Sequence, residues 1–355
     1  MRILLAVLLL AAQLCHAAPP VFAPVTPGRA LAFPADFGAH PDFRTEWWYV
    51  TGWLKTAGGK PLGFQVTFFR SRTEHDPANP SAFAPKQLII AHAALSDPSL
   101  GKLVHDQRSA REGFGLAYAR TGTTDLKLDD WRMKRAADGS YAVSIRSAQV
   151  TLELRLAPTQ PVLLQGAGGF SRKGADPRNA SYYYSEPQLK VAGTVARGGT
   201  AGTQVEGTAW LDHEWSSEAL DPAATGWDWI GANLDDGSAL MAFQIRGEQG
   251  GKLWGHAILR DASGKVTQYA PDQVSFTPQA QWKSPRTNAV YPVATNIVTG
   301  GTRWQVTPMQ EDQELDSRQS TGAVYWEGAV TISRDGVPVG RGYLEMTGYD
   351  RPMKL

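Results

Sequence analysis

The sequence predicts an all-β protein built from two tandem antiparallel barrels, and three observations predict it. The 355 residues include 12 Trp, 11 Tyr and 12 Phe with 42% hydrophobic residues overall. That is enough for a large buried core and too apolar for a solvated, unfolded chain. Thirty-six Gly and 23 Pro interrupt the chain too often for long helices, so short strands joined by turns are expected. A set of aromatic landmarks also occurs twice in the same order, the mark of an internal duplication.

The first landmark is WWYVTGWL, Trp47 to Leu54, which matches WDWIGANL, Trp227 to Leu234. GFQVTFFR ending at Arg70 then matches ALMAFQIR ending at Arg246, and HAALSD from His92 matches HAILRD from His256. Tyr141 to Pro158 falls on Tyr291 to Pro308 without a gap, and Gly207 to Trp215 on Gly340 to Tyr349. The seam lies between Trp215 and Trp227, which divides the mature chain into 18–217 and 218–355. Alternation places Val150, Leu152, Leu154 and Leu156 on one strand face. Turns are expected at Gly58-Gly59, Asp138-Gly139, Asp236-Gly237 and Asp335-Gly336. About eight strands per copy would close a barrel wide enough for its own side chains or one small ligand. Thr73–Pro85 and Gly166–Arg178 read as loops that only the first copy has.

A formal net charge of +1 gives no electrostatic footprint for nucleic acid or an anionic membrane surface. Arg2, the apolar run Ile3–Ala12 and the Cys15-His16-Ala17 end read as a signal peptide over 1–17, cleaved before Ala18. The run is too short to span a bilayer. A periplasmic or secreted protein is expected. Lipoprotein anchoring through Cys15 is disfavoured by the large Leu14. Cleavage removes the lone cysteine, so no disulfide or zinc-thiolate site is expected.

The duplication also ranks residues. Features present in both copies serve the shared barrel, so His92 and His256 read as structural and Trp47 and Trp227 as barrel plugs. Polar residues present once need another reason. His213 faces Met346, Glu46 faces Gly226, and Trp48 faces Asp228 in the aligned copies. Asp212, His213, Glu214 and Trp215 form the densest ionisable cluster. On a strand, His213 and Trp215 share one face while Asp212 and Glu214 share the other. The cluster is either a titratable site in a barrel mouth or a turn edge at which the two acids bind backbone donors. Glu46 is either paired with Arg44 or Arg70, the commoner case, or a proton donor with a raised pKa. His40 either closes over the barrel mouth or is a solvated loop residue. HEWSS has Ser217 where a zinc-protease helix needs its second His. Gly166–Gly169 lacks the Lys-Ser/Thr of a P-loop, and no Gly-x-Ser-x-Gly occurs. Neither metal nor cofactor is expected.

The segment DFGAHPDFRTEWWYVTGWL, Asp36 to Leu54, together with LDHEWSS from Leu211 and WDWIGANLDDG from Trp227, resembles the motifs of the AttH and carotenoid 1,2-hydratase family. The resemblance implies two lipocalin-like (calycin) barrels and a site lined by the first barrel and the seam. His213 and Trp215 match the family's His-x-Trp. With Asp212 and Glu46 as substitute acids they make the candidate catalytic set. Trp48, Tyr49, His40, Glu214 and Trp229 are the candidate ligand-binding residues. The family's Tyr-x-Asp is missing, because the corresponding stretch reads Leu240-Met241-Ala242-Phe243-Gln244. The leading expectation is an exported protein that binds a hydrophobic, lipid- or isoprenoid-like molecule in the first barrel or the inter-domain cleft. An envelope ABC transporter is a candidate partner. The alternative is a hydro-lyase or isomerase that adds water to an isoprenoid double bond. That chemistry needs an acid, an apolar slot and aromatic faces for the cation.

Overall fold

The computed structural model describes residues 21–218 and 220–353. The signal peptide expected over 1–17, with Cys15, lies outside the described residues. Strands make up more than half of the rest and form two antiparallel sheets, each curled into a barrel. Among the described residues helical structure is limited to four single 3₁₀ turns, and no helix is long and apolar enough to cross a membrane.

The first sheet runs, in space, β4 (Val104–Arg111), β3 (Gln87–Ser96), β2 (Pro61–Arg72), β1 (Thr45–Thr56), β13 (Thr203–Ser216), β12 (Ala180–Arg197), β9 (Val150–Ala157), β8 (Tyr141–Arg146), β7 (Trp131–Arg135), β6 (Asp125–Leu128) and β5 (Ala117–Ala119). Two short strands, β10 (Leu163–Leu164) and β11 (Phe170–Arg172), pair with β12. The second sheet runs β17 (Val266–Tyr269), β16 (Lys252–Arg260), β15 (Ala239–Gly247), β14 (Ala224–Leu234), β23 (Val337–Met346), β22 (Val324–Arg334), β20 (Thr302–Pro308), β19 (Val290–Thr299) and β18 (Val274–Lys283). There β21 (Glu314–Asp316) pairs with β22.

The two spatial orders are the same path, so β1 corresponds to β14, β13 to β23 and β12 to β22. Ladder register confirms the alignment side chain by side chain. Trp48 stands opposite His213, and Asp228 opposite Met346. Both copies carry more strands than eight. The first also has a β5–β6 hairpin without a counterpart, so its extra length is not only loop. Gly166–Arg178 is likewise not all loop, because β11 lies within it.

Alternation fixes the interiors. Val150, Leu152, Leu154 and Leu156 are all buried in the first core, each worth about 1.5–3 kcal/mol of apolar burial. A second cluster around Ile230, Tyr291, Trp304 and Trp326 fills the other barrel. A third, with Tyr49, Tyr183, Trp210, Trp229 and Phe243, packs the two barrels together. Trp47 and Trp227 belong to this third cluster, so they do not plug a barrel. Strand phase puts each on the outer face, while Trp48 and Ile230 on the inner faces of the same strands lie in the barrel cores.

His92 also works at the seam. Its ring nitrogens contact Tyr325 Oη at 2.6 Å and Ser320 Oγ at 2.8 Å on the second barrel. Burial holds this imidazole neutral by lowering its pKa to about 3, so one nitrogen donates and the other accepts.

Before β1 the chain forms a strap, residues 21–44, across one end of the first barrel. Ala39 N donates to Arg120 O at 2.8 Å and Ser217 Oγ to Ala23 O at 2.6 Å. Gly38 lets the strap press down, since a Cβ there would sit 2.2 Å from Gly122 N.

Candidate proton network in the first barrel

Glu46 lies on β1, His213 and Trp215 on β13, and all three point inward with no exposed surface. Glu46 Oε1 accepts from two rings, His213 Nε2 at 2.8 Å and His40 Nδ1 at 2.7 Å. Its Oε2 accepts from Arg70 Nε at 2.7 Å and from the His40 backbone N–H at 2.9 Å. Burial alone would raise the pKa of this carboxyl. The bonds from His213 and His40 and the charges of Arg70 and His40 outweigh it, and Glu46 stays well below the usual carboxylate range.

Glu46 as an anion assigns the remaining protons. His40 Nδ1 faces Glu46 and its Nε2 faces Asp36 Oδ1 at 3.0 Å, so both nitrogens carry hydrogen and the ring is an imidazolium. Burial opposes that charge, but the two carboxylates prevail and raise the pKa of His40. His213 Nε2 donates to Glu46, which leaves Nδ1 to accept from Tyr184 Oη at 3.0 Å. Burial, with the nearby His40 charge, lowers the pKa of His213 to about 4 and keeps it neutral. The result is a continuous chain of hydrogen bonds from Arg29 and Asp36 through His40, Glu46 and His213 to Tyr184.

Aromatic faces enclose the chain. The His40 ring lies flat on Trp215, with centroids 3.7 Å apart and planes 6° apart. Trp48 stacks on His213 at 4.4 Å, and Tyr184 meets His213 edge-on at 5.2 Å. Such faces favour a neighbouring positive charge. The His40 side chain is 10% exposed while those of Glu46 and His213 are fully buried, so the member that carries the extra proton is also the one nearest solvent.

The sequence candidates therefore fall into two groups. The fold brings His40, Glu46, Trp48, His213 and Trp215 together inside the first barrel. Asp212, Glu214, Tyr49 and Trp229 point the other way, into the seam. There Asp212 accepts from Tyr183 Oη at 2.6 Å and Trp210 Nε1 at 2.6 Å, and Trp229 Nε1 donates to Tyr183 Oη at 3.1 Å. Burial raises the pKa of Asp212 to about 7 despite those donors. Glu214 Oε1 lies 2.9 Å from Lys173 Nζ. The seam also opens a cleft of about 280 Å³ among Trp53, Gln188, Trp210, Asn233, Arg341 and Tyr343, at the opposite end of β1 from Glu46.

Asp36 and Tyr184 are network members that sequence reasoning missed, whereas Arg70 is the one of the two arginines offered to Glu46 that the fold brings to it. Tyr184 sits in the run Ser181-Tyr182-Tyr183-Tyr184-Ser185, where only strand phase decides which ring points inward. His40 Nδ1, Glu46 Oε1 and His213 Nε2 lie within 4.8 Å of one another and are the donor set available to a metal ion. Charge disfavours that use. With the His40 proton in place, Arg29, Arg70 and His40 already outnumber Asp36 and Glu46, so a dication in place of that proton would enlarge a buried excess of positive charge.

A family model described as AttH-like matches residues 24–349. The chain belongs to the AttH-like family. An AttH-type protein from Nitrosomonas europaea has a crystal structure that superposes with a TM-score of 0.87 at 64% identity, covering 92% of this chain and 100% of that one. Kievitone hydratase from Nectria haematococca superposes with a TM-score of 0.69 at 14% identity, covering 94% and 98%. The structure of CghA with Sch210972 reaches 0.51 at 12% identity, covering 85% and 88%. At those identities the latter two establish a shared fold. No curated protein sequence matches the chain.

Proposed function

We propose that this AttH-like protein binds a hydrophobic, lipid- or isoprenoid-like ligand in its first barrel and moves a proton at that ligand through the His40–Glu46 network. The observation that carries the reading is the His40 imidazolium, held between two carboxylates and stacked on Trp215. A barrel that served only as a container would gain nothing from burying that charge. Ligand entry requires the strap over 21–44 to lift, since the network is packed closed beneath it.

Acid-catalysed hydration is the reaction this arrangement suits, and the hydratase relative of the same fold supports it. His40 gives the Nε2 proton now held by Asp36 to a ligand double bond, and the π electrons form the new C–H bond. The aromatic walls favour the resulting cation. Water adds to it, and the proton water loses returns to His40, so one water is consumed. We further propose that 1–17 directs export, with an envelope transporter as supplier or acceptor of the ligand.

Native mass spectrometry of the purified protein tests binding by looking for a co-purifying hydrophobic molecule. Incubating that molecule's unsaturated form with protein in heavy-oxygen water tests the chemistry. Label should enter the product with wild type and not with His40→Gln. His213→Ala should weaken ligand effects while melting within a few degrees of wild type. Equal labelling by wild type and His40→Gln would remove the catalytic half of the reading, and no bound molecule under any extraction would remove the binding half. N-terminal sequencing of the exported protein should begin at Ala18.

A further inference from the structure

We propose that Arg135, Tyr141 and Glu186 form a subsite at the strap-covered end of the first barrel for the carboxylate head of an amphiphilic ligand. This rests on the reading that the barrel takes a hydrophobic ligand and adds the chemical class of its head group.

The placement of Glu186 follows from a register shift. On β12, Tyr182, Tyr184 and Glu186 point inward while Tyr183 and Ser185 point to the seam. The ladder to β13 then slips between Glu186 and Leu189, a bulge of the kind that re-aims side chains, after which Leu189 and Val191 face the core. Glu186 is therefore the last inward polar residue before the apolar floor, and it is 3% exposed. Its Oε2 accepts from Tyr141 Oη. Burial raises its pKa, with the Tyr141 bond and the Arg135 charge opposing. With Oε2 taken by Tyr141, Oε1 is the oxygen left to share a proton with a ligand.

Arg135, at the end of β7, supplies the charge. Its guanidinium lies 3.8 Å from the centre of the Phe37 ring and 5.8 Å from that of Tyr141. Its Nε is buried without a hydrogen-bond partner, while its charge acts on Glu186 and its guanidinium reaches the Tyr141 hydroxyl. A buried charged donor left unmet is costly, and a ligand oxygen would meet it. A carboxylate accepts from Arg135 on one side and from the Glu186 proton on the other. A phosphate dianion would bring a second charge against Glu186, and a neutral head would accept from Arg135 without matching its charge. The attached chain would pass Phe37 and Tyr184, which pack together with centroids 5.8 Å apart. Its first carbons would then reach the Tyr184 end of the proton network.

The second barrel is an internal control. Arg135 stands opposite Tyr141, and Trp282 stands opposite Tyr291. Glu186 stands opposite Leu211, and Gly328 opposite Leu344. The second barrel thus keeps the tyrosine but has Trp282 for the arginine and Gly328 for the acid, with Gln313 filling the space of the missing side chain.

Isothermal titration of the full protein with oleate and with oleyl alcohol, below their micellar concentrations, tests the subsite. Wild type should bind oleate more tightly. Arg135→Gln should weaken oleate by about tenfold or more, as expected for one lost charge-assisted pairing, and leave oleyl alcohol unchanged. Arg135→Met keeps the aliphatic stem over Phe37 and should behave the same way, which covers a folding defect in the first variant. Unchanged oleate affinity in both variants, or equal losses for both probes, would overturn the subsite while the barrel reading stood. If neither probe binds wild type, the hydrophobic-ligand reading falls and the subsite with it.

Discussion

The two barrels share a strand path and differ in what their equivalent positions carry. In the first, a carboxylate on β1 is ionised and ties together Arg70, His40 and His213. In the second, the equivalent position is Gly226, where a Cβ would meet Thr347 O at 2.3 Å, so no side chain fits. The acid appears two residues later as Asp228, bonded to Gln244 at 2.7 Å and Arg246 at 3.1 Å. Burial raises the pKa of Asp228 although Arg246 and Gln244 oppose it, whereas that of Glu46 is lowered. Both barrels bury a carboxylate beside an arginine, but only in the first do the surrounding donors and charges outweigh burial. Elsewhere His213 is replaced by Met346 and Tyr184 by Trp326, which turns a proton path into apolar core. The difference teaches that the duplicated scaffold supplies the arginine and the cylinder, while the single-copy residues supply the chemistry.

The largest effect that would break this comparison is the cost of removing each acid. Glu46→Ala should destabilise by about 3–5 kcal/mol in denaturant unfolding, because it leaves Arg70 and two rings buried without their partner. Asp228→Asn should cost less, about 1 kcal/mol, because burial already works against the charge there and the amide keeps part of the hydrogen bonding. Equal losses would mean that the two sites are energetically alike.

Stability against pH sharpens the contrast between barrel and seam. Glu46, whose pKa is lowered on folding, contributes stability that is present above its ordinary value of 4.5 and is lost as acid approaches the folded value. His40, raised on folding, contributes below its ordinary 6.5 and loses that contribution as pH climbs through the folded value. The seam adds a larger alkaline term. Glu327 and Glu345 stand directly opposite each other on β22 and β23. Burial, with Asp212 and Glu214 nearby, raises the pKa of Glu345 to about 8. Stability should therefore fall as pH rises from about 4.5 towards 8. Glu345→Gln should flatten that limb in thermal melts and leave the acid limb, set by Glu46, in place. An unchanged slope would show that Glu345 does not titrate with unfolding and would leave the slope to Asp212 and Glu327, which burial also raises.

Smaller effects separate stacking from docking. Trp215→Phe should cost about 1 kcal/mol beyond its lost area by weakening the stack on His40, and it should impair ligand binding. Tyr325→Phe removes one hydrogen bond between the barrels. It should cost about 1 kcal/mol with ligand binding intact, and a loss of binding there would tie the seam to the site.

Much of this molecule was determined by local pattern. Period-two alternation over Val150–Leu156, the Asx-Gly turns and the repeated landmarks specify two β-barrels, because side-chain phase along a strand obeys simple geometry. The same phase separates His213 and Trp215 from Asp212 and Glu214, and the comparison of copies singles out Glu46, Trp48 and His213. Tertiary structure decided the rest. Which strand face turns into a barrel and which into the seam depends on the packing of two cylinders, and for that reason Trp47 and Tyr49 lie outside and Trp48 inside. The partners of Glu46 come from residues 40, 70 and 213, brought together by closure of a sheet. The state of its proton follows from their distances and burial, quantities that no stretch of sequence contains.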